Sequence, residues 1–195
     1  RSSDLGALVV NSQSKVIYPR CFKGDIRKIY AQGEVFLEVA HDKKHPFIVE
    51  SDDFKLQVLG TKFNISNYKG GTTNIVLVEG AVEVTDKNEK KARLNPNDLL
   101  NIANGTIAYQ KQVDVAEYIS WVEGIMLLNG NDLSQIIQRL SIYYGISIQC
   151  DPIIGKEKVY GKLDLKDDID EVIECIQQTL PFTIEKSDTS IYLNK

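Results

Sequence analysis

From Gly33 to Val39 apolar and polar residues alternate, so that Val35, Leu37 and Val39 share one side of an extended chain. Successive strand side chains point to opposite faces, and this two-residue period predicts a half-buried strand. Phe54–Leu59 repeats it through Phe54, Leu56 and Val58. Shorter runs follow at Phe47–Glu50, Lys62–Tyr68, Asn74–Val78, Ala81–Thr85, Ala92–Leu94 and Leu99–Ile102. Pro46, Ser51-Asp52-Asp53, Glu79-Gly80, Asp86–Lys91 and Asn95-Pro96-Asn97-Asp98 separate them as turns. A break every eight to ten residues or so predicts a mainly antiparallel β sandwich or roll over residues 1–112, almost without helix.

The rhythm changes after Val113. Residues 113–123 read as a connector, with a short helix over Asp114–Trp121 and Trp121 as a packing anchor between two regions. Residues 124–195 read as a small α+β domain made of two β-α-β units. A 36-residue offset carries Leu127 onto Leu163, Leu133 onto Ile169, and Ile136, Ile137 and Leu140 onto Val172, Ile173 and Ile176. It also carries Tyr144, Ile146 and Ile148 onto Leu180, Phe182 and Ile184. In the first helix Leu133, Ile136, Ile137, Leu140 and Tyr144 form one face, and Gly145 provides a left-handed stop. In the second, Asp168 and Glu171 have capping-box spacing, and Pro181 ends the helix. Both helices are expected to cover one sheet, with Ser190–Leu193 as a free edge strand.

Composition narrows the function. The 195 residues are 43% hydrophobic with a formal charge of -4 and a pI near 5.3, which gives no basic stripe for nucleic acid. No run approaches the roughly 18 apolar residues of a membrane span. The start at Arg1-Ser2-Ser3, without Met or a signal-like core, reads as a trimmed or mature fragment. Cys21, Cys150 and Cys175 lack CxxC spacing, and Cys175 is expected as buried apolar volume on the second helix.

Candidate chemistry is thin. His41 and His45 lie four apart around Asp42-Lys43-Lys44, whereas metal ligands on one strand face recur at two-residue spacing. Asp52-Asp53 and Asp167-Asp168 read as turn or cap residues rather than a glycosidic pair. Gly70-Gly71-Thr72-Thr73 lacks phosphate-loop spacing, no G-x-S-x-G elbow is present, and Cys21 has no basic setting. The expectation is a non-enzymatic protein with no catalytic residue, cofactor or metal.

Several blocks together resemble the FecR-type anti-sigma factors. They are Gly33-Glu34-Val35-Phe36-x-x-Val39, His45-Pro46-Phe47-Ile48-Val49, Val58-Leu59-Gly60-Thr61-x-Phe63-Asn64-Ile65, Val78-Glu79-Gly80-x-Val82-x-Val84 and Leu94-x-Pro96. Trp121-x-x-Gly124, Leu133-x-x-Ile136 and Arg139-Leu140 followed by Tyr144 continue the resemblance, and Asn11, Ser14 and Tyr18-Pro19 are similar to its opening strand pair. The closest flavour is that of the Bacteroidetes members, in which a small αβ domain follows the β region.

The resemblance implies a periplasmic region, anchored to the inner membrane by a helix outside these residues. It also implies a cytosolic segment, likewise outside, that holds an extracytoplasmic-function sigma factor. The partner it implies is the small signalling domain of a TonB-dependent outer-membrane transporter, which the second region resembles. Within the blocks, Gly60-Thr61 is expected to relieve backbone constraint at a turn, and Asn64 and Asn67 to tie down turn groups. The resemblance transfers no binding residue. The alternative is a carbohydrate-binding or adhesion-like β module at the cell surface, with Tyr30, Tyr68 and Tyr109 as an aromatic platform; a metal-bearing β-roll enzyme comes third.

Overall fold

The structure is a computed structural model that describes residues 5–187 and 189–195. It divides into one compact unit up to Tyr118 and another from Ile119.

The first unit contains strands β1 (Leu5–Val10), β2 (Lys15–Ile17), β3 (Arg27–Val39), β4 (Phe47–Glu50), β5 (Phe54–Val58) and β6 (Thr61–Asn67). They are followed by β7 (Thr73–Glu79), β8 (Val82–Asp86), β9 (Lys91–Leu94), β10 (Asp98–Ala103) and β11 (Thr106–Gln112). β3 organises the unit. Its first half pairs with β2 and β4, and its second half with β1 and β6. Two six-stranded sheets therefore share it, in the orders β1-β3-β6-β7-β10-β11 and β2-β3-β4-β5-β8-β9. Among the described strands of this unit only the β3–β4 pair is parallel.

The bend in β3 falls at Gly33, whose φ of 91° suits glycine. An added Cβ there would sit 2.3 Å from the Ser14 hydroxyl, so a side chain is excluded on both counts. Alternate residues of both sheets then meet in one core: Val35, Leu37, Phe47, Leu56, Phe63, Ile65, Ile75, Leu77, Val84 and Leu100 are completely buried. The far edges, β9 and β11, are joined by side chains instead of a ladder. Asp86 accepts from the amides of Asn88 and Lys90 in its own hairpin and, at 3.0 Å, from Ile107 of β11. Asn88 Nδ2 donates to Thr106 Oγ1, and Gln110 Nε2 donates to the Arg93 carbonyl and to Asp98.

α1 (Ala116–Ile119) runs into a 3-10 turn, Ser120–Glu123, which Gly124 ends in the left-handed region at φ 77°. The second unit continues with β12 (Ile125–Asp132), α2 (Leu133–Tyr144), β13 (Ser147–Cys150), a 3-10 turn (Ile154–Lys156), β14 (Lys158–Asp164), α3 (Ile169–Gln177), β15 (Thr183–Lys186) and β16 (Ser190–Asn194). Leu133, Ile136, Ile137 and Leu140 of α2 and Val172, Ile173 and Ile176 of α3 are buried, as their period predicts.

Two expectations are corrected here. The strands do not form one sheet: β12 pairs with β14, while β13, β16 and β15 make a second sheet in that order. Ser190–Leu193 is not a free edge, since β16 is paired on both sides, parallel to β13 and antiparallel to β15. The internal repeat thus places its two equivalent strands, β13 and β15, on either side of a strand that stands outside the repeat.

Candidate protein-binding surface

The turn from β5 to β6 carries Leu59 and Gly60. Gly60 does not have the positive φ a turn glycine usually relieves. It is needed for close approach: an added Cβ would stand 2.5 Å from the His41 Cα, where the Asp42 amide donates to the Leu59 carbonyl at 2.7 Å. Gly80, at φ 96°, is packed the same way, 2.7 Å from the Gly60 carbonyl oxygen at its notional Cβ. Buried Thr61 donates its hydroxyl to the Ala81 carbonyl at 3.0 Å, which ties the β5–β6 and β7–β8 turns together. A cleft of about 340 Å³ opens beside them, lined by Gly6, Glu38, His41, Lys62 and Glu79 among others. Lys62 lies 3.4 Å from Glu38 and 3.8 Å from Glu79, so its charges already face one another.

Glu34 stands at the centre of a polar clasp. Its carboxylate accepts from Asn11 Nδ2 at 2.7 Å and Asn64 Nδ2 at 3.1 Å, and its amide donates to Ser14 Oγ. Asn64 and Asn67 therefore serve strands, not turns. Both lie on β6, and Asn67 Nδ2 donates to the Ala31 carbonyl and Ser51 Oγ. The Tyr68 hydroxyl donates to the Ser12 carbonyl, and burial pushes its pKa up to about 12.

Arg27 is buried, donates to the carbonyls of His45 and Ala40, and lies 5.6 Å from the Phe47 ring centroid. The carbonyl of Pro46 accepts from the Arg27 amide, which brings the Pro46-Phe47 block into the sheet. Asp42 is paired with His45 Nδ1 at 2.7 Å and also caps the amides of Lys44 and His45. The His45 contact comes first among the causes that hold the Asp42 carboxyl near 2. Among the described residues no three His, Cys, Asp or Glu side chains gather as a metal site.

The outer face of β5 and β8 floors a second cleft, of about 410 Å³, between the 51–53 and 86–91 turns. Its charges are largely paired: Lys87 with Asp53 at 2.7 Å, and Lys91 and Arg93 with Glu83. The candidate aromatic platform is dispersed. Tyr30 on β3 donates to Asp52, Tyr68 is committed to Ser12, and Tyr109, 48% exposed, lies on the far strand β11 beneath Lys111. Of the remaining motif residues, Phe36, Phe63 and Trp121 are buried, and Pro96 falls in the turn before β10.

The second unit carries an acidic surface. Residues 119–195 hold twelve Asp or Glu against seven Lys or Arg. Asp170, Glu171 and Glu174 are exposed on α3, whose start is capped by Asp168 accepting from the amides of Asp170 and Glu171. Asp132 and Gln135 close a capping box on α2 that the sequence reading missed. The Tyr144 hydroxyl shares its one proton between the carbonyls of Leu165 and Asp167, and burial raises its pKa to about 12. Cys175 is exposed, contrary to expectation, because it falls one position before the buried Ile176 and off the α3 apolar face. Cys21 and Cys150 are also free thiols.

These surfaces offer charge and hydrogen-bonding groups. The family profile described as FecR protein matches residues 1–83, and that described as FecR, C-terminal matches residues 125–193. No protein with a curated description matches the chain. Two crystal structures of candidate anti-sigma factors from Parabacteroides distasonis ATCC 8503 are similar to it throughout. One is 28% identical with a TM-score of 0.81, over 100% of this chain and 98% of its own. The other is 30% identical with a TM-score of 0.80, over 96% and 89%.

Proposed function

Because this chain belongs to the FecR family, as the periplasmic signalling region of an anti-sigma factor, we propose that it receives its signal from a TonB-dependent outer-membrane transporter. The transporter's small signalling domain is the contact, and an extracytoplasmic-function sigma factor is the output. Family members of this kind are non-catalytic signalling modules. The sigma factor is reached only through a cytosolic segment beyond these residues, and the anchoring membrane helix likewise lies beyond them. Among the described residues no helix is long and apolar enough to cross a membrane.

One observation carries the reading. A FecR-type β unit is followed in the same chain by a FecR C-terminal unit built from a repeated strand-helix-strand element. The sequence resemblance implies that the second unit is of the same kind as the signalling domain it is proposed to meet, and two such modules can join through strand edges. The test is calorimetric titration of the full chain with isolated signalling domains of TonB-dependent transporters from the same organism. One domain binding while its neighbours do not supports the reading. Failure of every folded domain to bind, with a positive result in a glycan screen, would replace it with the carbohydrate-binding alternative.

A further inference from the structure

Among the described residues the second unit has five strands, and they differ in what their edges offer. An unpaired strand edge is a row of donors and acceptors that invites another chain, and proteins blunt such rows with bulges, glycines or coverings. β12 is interrupted: its register slips between Asn129 and Asn131, Gly130 has φ 78°, and the Asn129 amide donates to Asn131 Oδ1. β14 faces that irregularity through Tyr160 and Val159, and carries Gly161 at φ 135° in register with Leu128. β13 is covered. Ser141 of α2 accepts from the Ile148 amide at 2.9 Å and donates to the Ile148 carbonyl at 3.2 Å, which occupies the side away from β16. β16 is paired on both sides.

β15 has none of these defences. Thr183–Lys186 pairs with β16 in unbroken register, from Thr183 opposite Asn194 to Lys186 opposite Ile191, and has no Gly or Pro within it. Among the described residues no side chain or loop bonds to its backbone from outside the sheet. Gln177 Nε2 holds the Phe182 carbonyl at 2.7 Å, so the strand enters in a set position. Lys186, the cation that would guard the edge, is instead drawn 2.7 Å onto Asp170 of α3. That contact also sets the edge beside a helix whose Asp170, Glu171 and Glu174 are exposed.

We propose that β15 is the docking edge, and that its occupant is an extended strand of the transporter's signalling domain carrying Lys or Arg on the side facing α3. Backbone bonds to β15 supply the attachment, and the acidic α3 surface selects the basic strand. The inference rests on the function proposed above.

The experiment is amide hydrogen exchange on the full chain, free and saturated with the signalling domain that binds by calorimetry. The outward amides of β15, those of Ile184 and Lys186, are expected to slow about tenfold or more, as newly bonded strand amides do, while Thr183 and Glu185 already bond β16. Those of β13 and β14 should keep their rates. In parallel, Glu174→Lys, on the exposed face of α3, should weaken binding about fivefold while the melting curve stays in place. Binding with protection elsewhere and none on β15 overturns the edge and leaves the transporter reading standing. No binding by any folded domain overturns both.

Discussion

Single residues here act through space and protonation more than through any reactive group. Gly60 shows the first. Its neighbours read as a turn from sequence, and glycine in a turn is ordinarily explained by φ. Its actual constraint, the approach of His41 from a segment some twenty positions earlier, is a tertiary fact that no local pattern carries. Gly60→Ala should therefore cost about 1–3 kcal/mol, as overpacking against backbone does. Gly71→Ala, where the nearest atom is 3.4 Å away, should fall within about 0.5 kcal/mol. Thermal melts of the two variants check this, and equal midpoints would remove the steric account. Tyr144 shows the second. Burial first, then nearby acidic groups, raise its hydroxyl from 10.0 to about 12. The folded state thus favours the protonated form, and that contribution is complete below pH 10 and lost as pH rises through about 12. Tyr144→Phe should cost about 0.5–1.5 kcal/mol at neutral pH, for the one hydroxyl proton shared between two carbonyls, and should flatten the loss of stability above pH 10. An alkaline limb unchanged in the variant would show that another group governs it.

At the scale of elements, what the pattern revealed and what it missed divide along burial. β5, β6 and β8 bury one face completely, so their period is plain in the sequence. β11 escaped the period reading because it is exposed along almost its whole length and needs no alternation. Arg27–Gln32, the first half of β3, was missed for a different reason: Arg27 occupies a buried position through carbonyl contacts, and its charge masks the pattern. The core prediction follows from the legible part. Phe63→Ala should destabilise the first unit by about 3–5 kcal/mol, measured by urea unfolding, because a completely buried ring leaves a cavity. The seam prediction follows from the part that was not legible. Asp86 is held below the ordinary carboxylate range, first by the Ile107 amide and then by those of Lys90 and Asn88. Its contribution is present above the unfolded carboxylate pKa and is lost as pH falls through the lowered folded value. Asp86→Asn turns one acceptor oxygen into a donor, so it should speed exchange of the Ile107 amide and flatten the acid limb. Parent-like exchange at Ile107 would show that the β9–β11 seam closes without the carboxylate.

At the scale of the whole molecule the sequence already showed two rhythms and the repeat behind the second, because both are written in apolar spacing. It did not show which strand edges remain open, since edges are defined by partners. Ser190–Leu193 looked terminal and therefore free, yet the chain end folds back between β13 and β15. Charge, by contrast, is legible without a structure, and it is unevenly divided. Residues 1–118 carry sixteen Lys or Arg against fifteen Asp or Glu, whereas residues 119–195 carry seven against twelve. A contact made by the second unit should then be steered by a negative field that salt screens, because the Debye length shrinks from about 10 Å at 0.1 M to about 3 Å at 1 M. A contact made by the nearly neutral first unit should respond far less. Calorimetric affinity for the cognate signalling domain, measured across a salt series, reads this directly. A steep loss of affinity with salt, relieved in Glu174→Lys, places the contact on the acidic unit. A flat series would move it to the β unit, where strand exposure on β11 and the clefts beside Lys62 and Lys55 become the surfaces to substitute next.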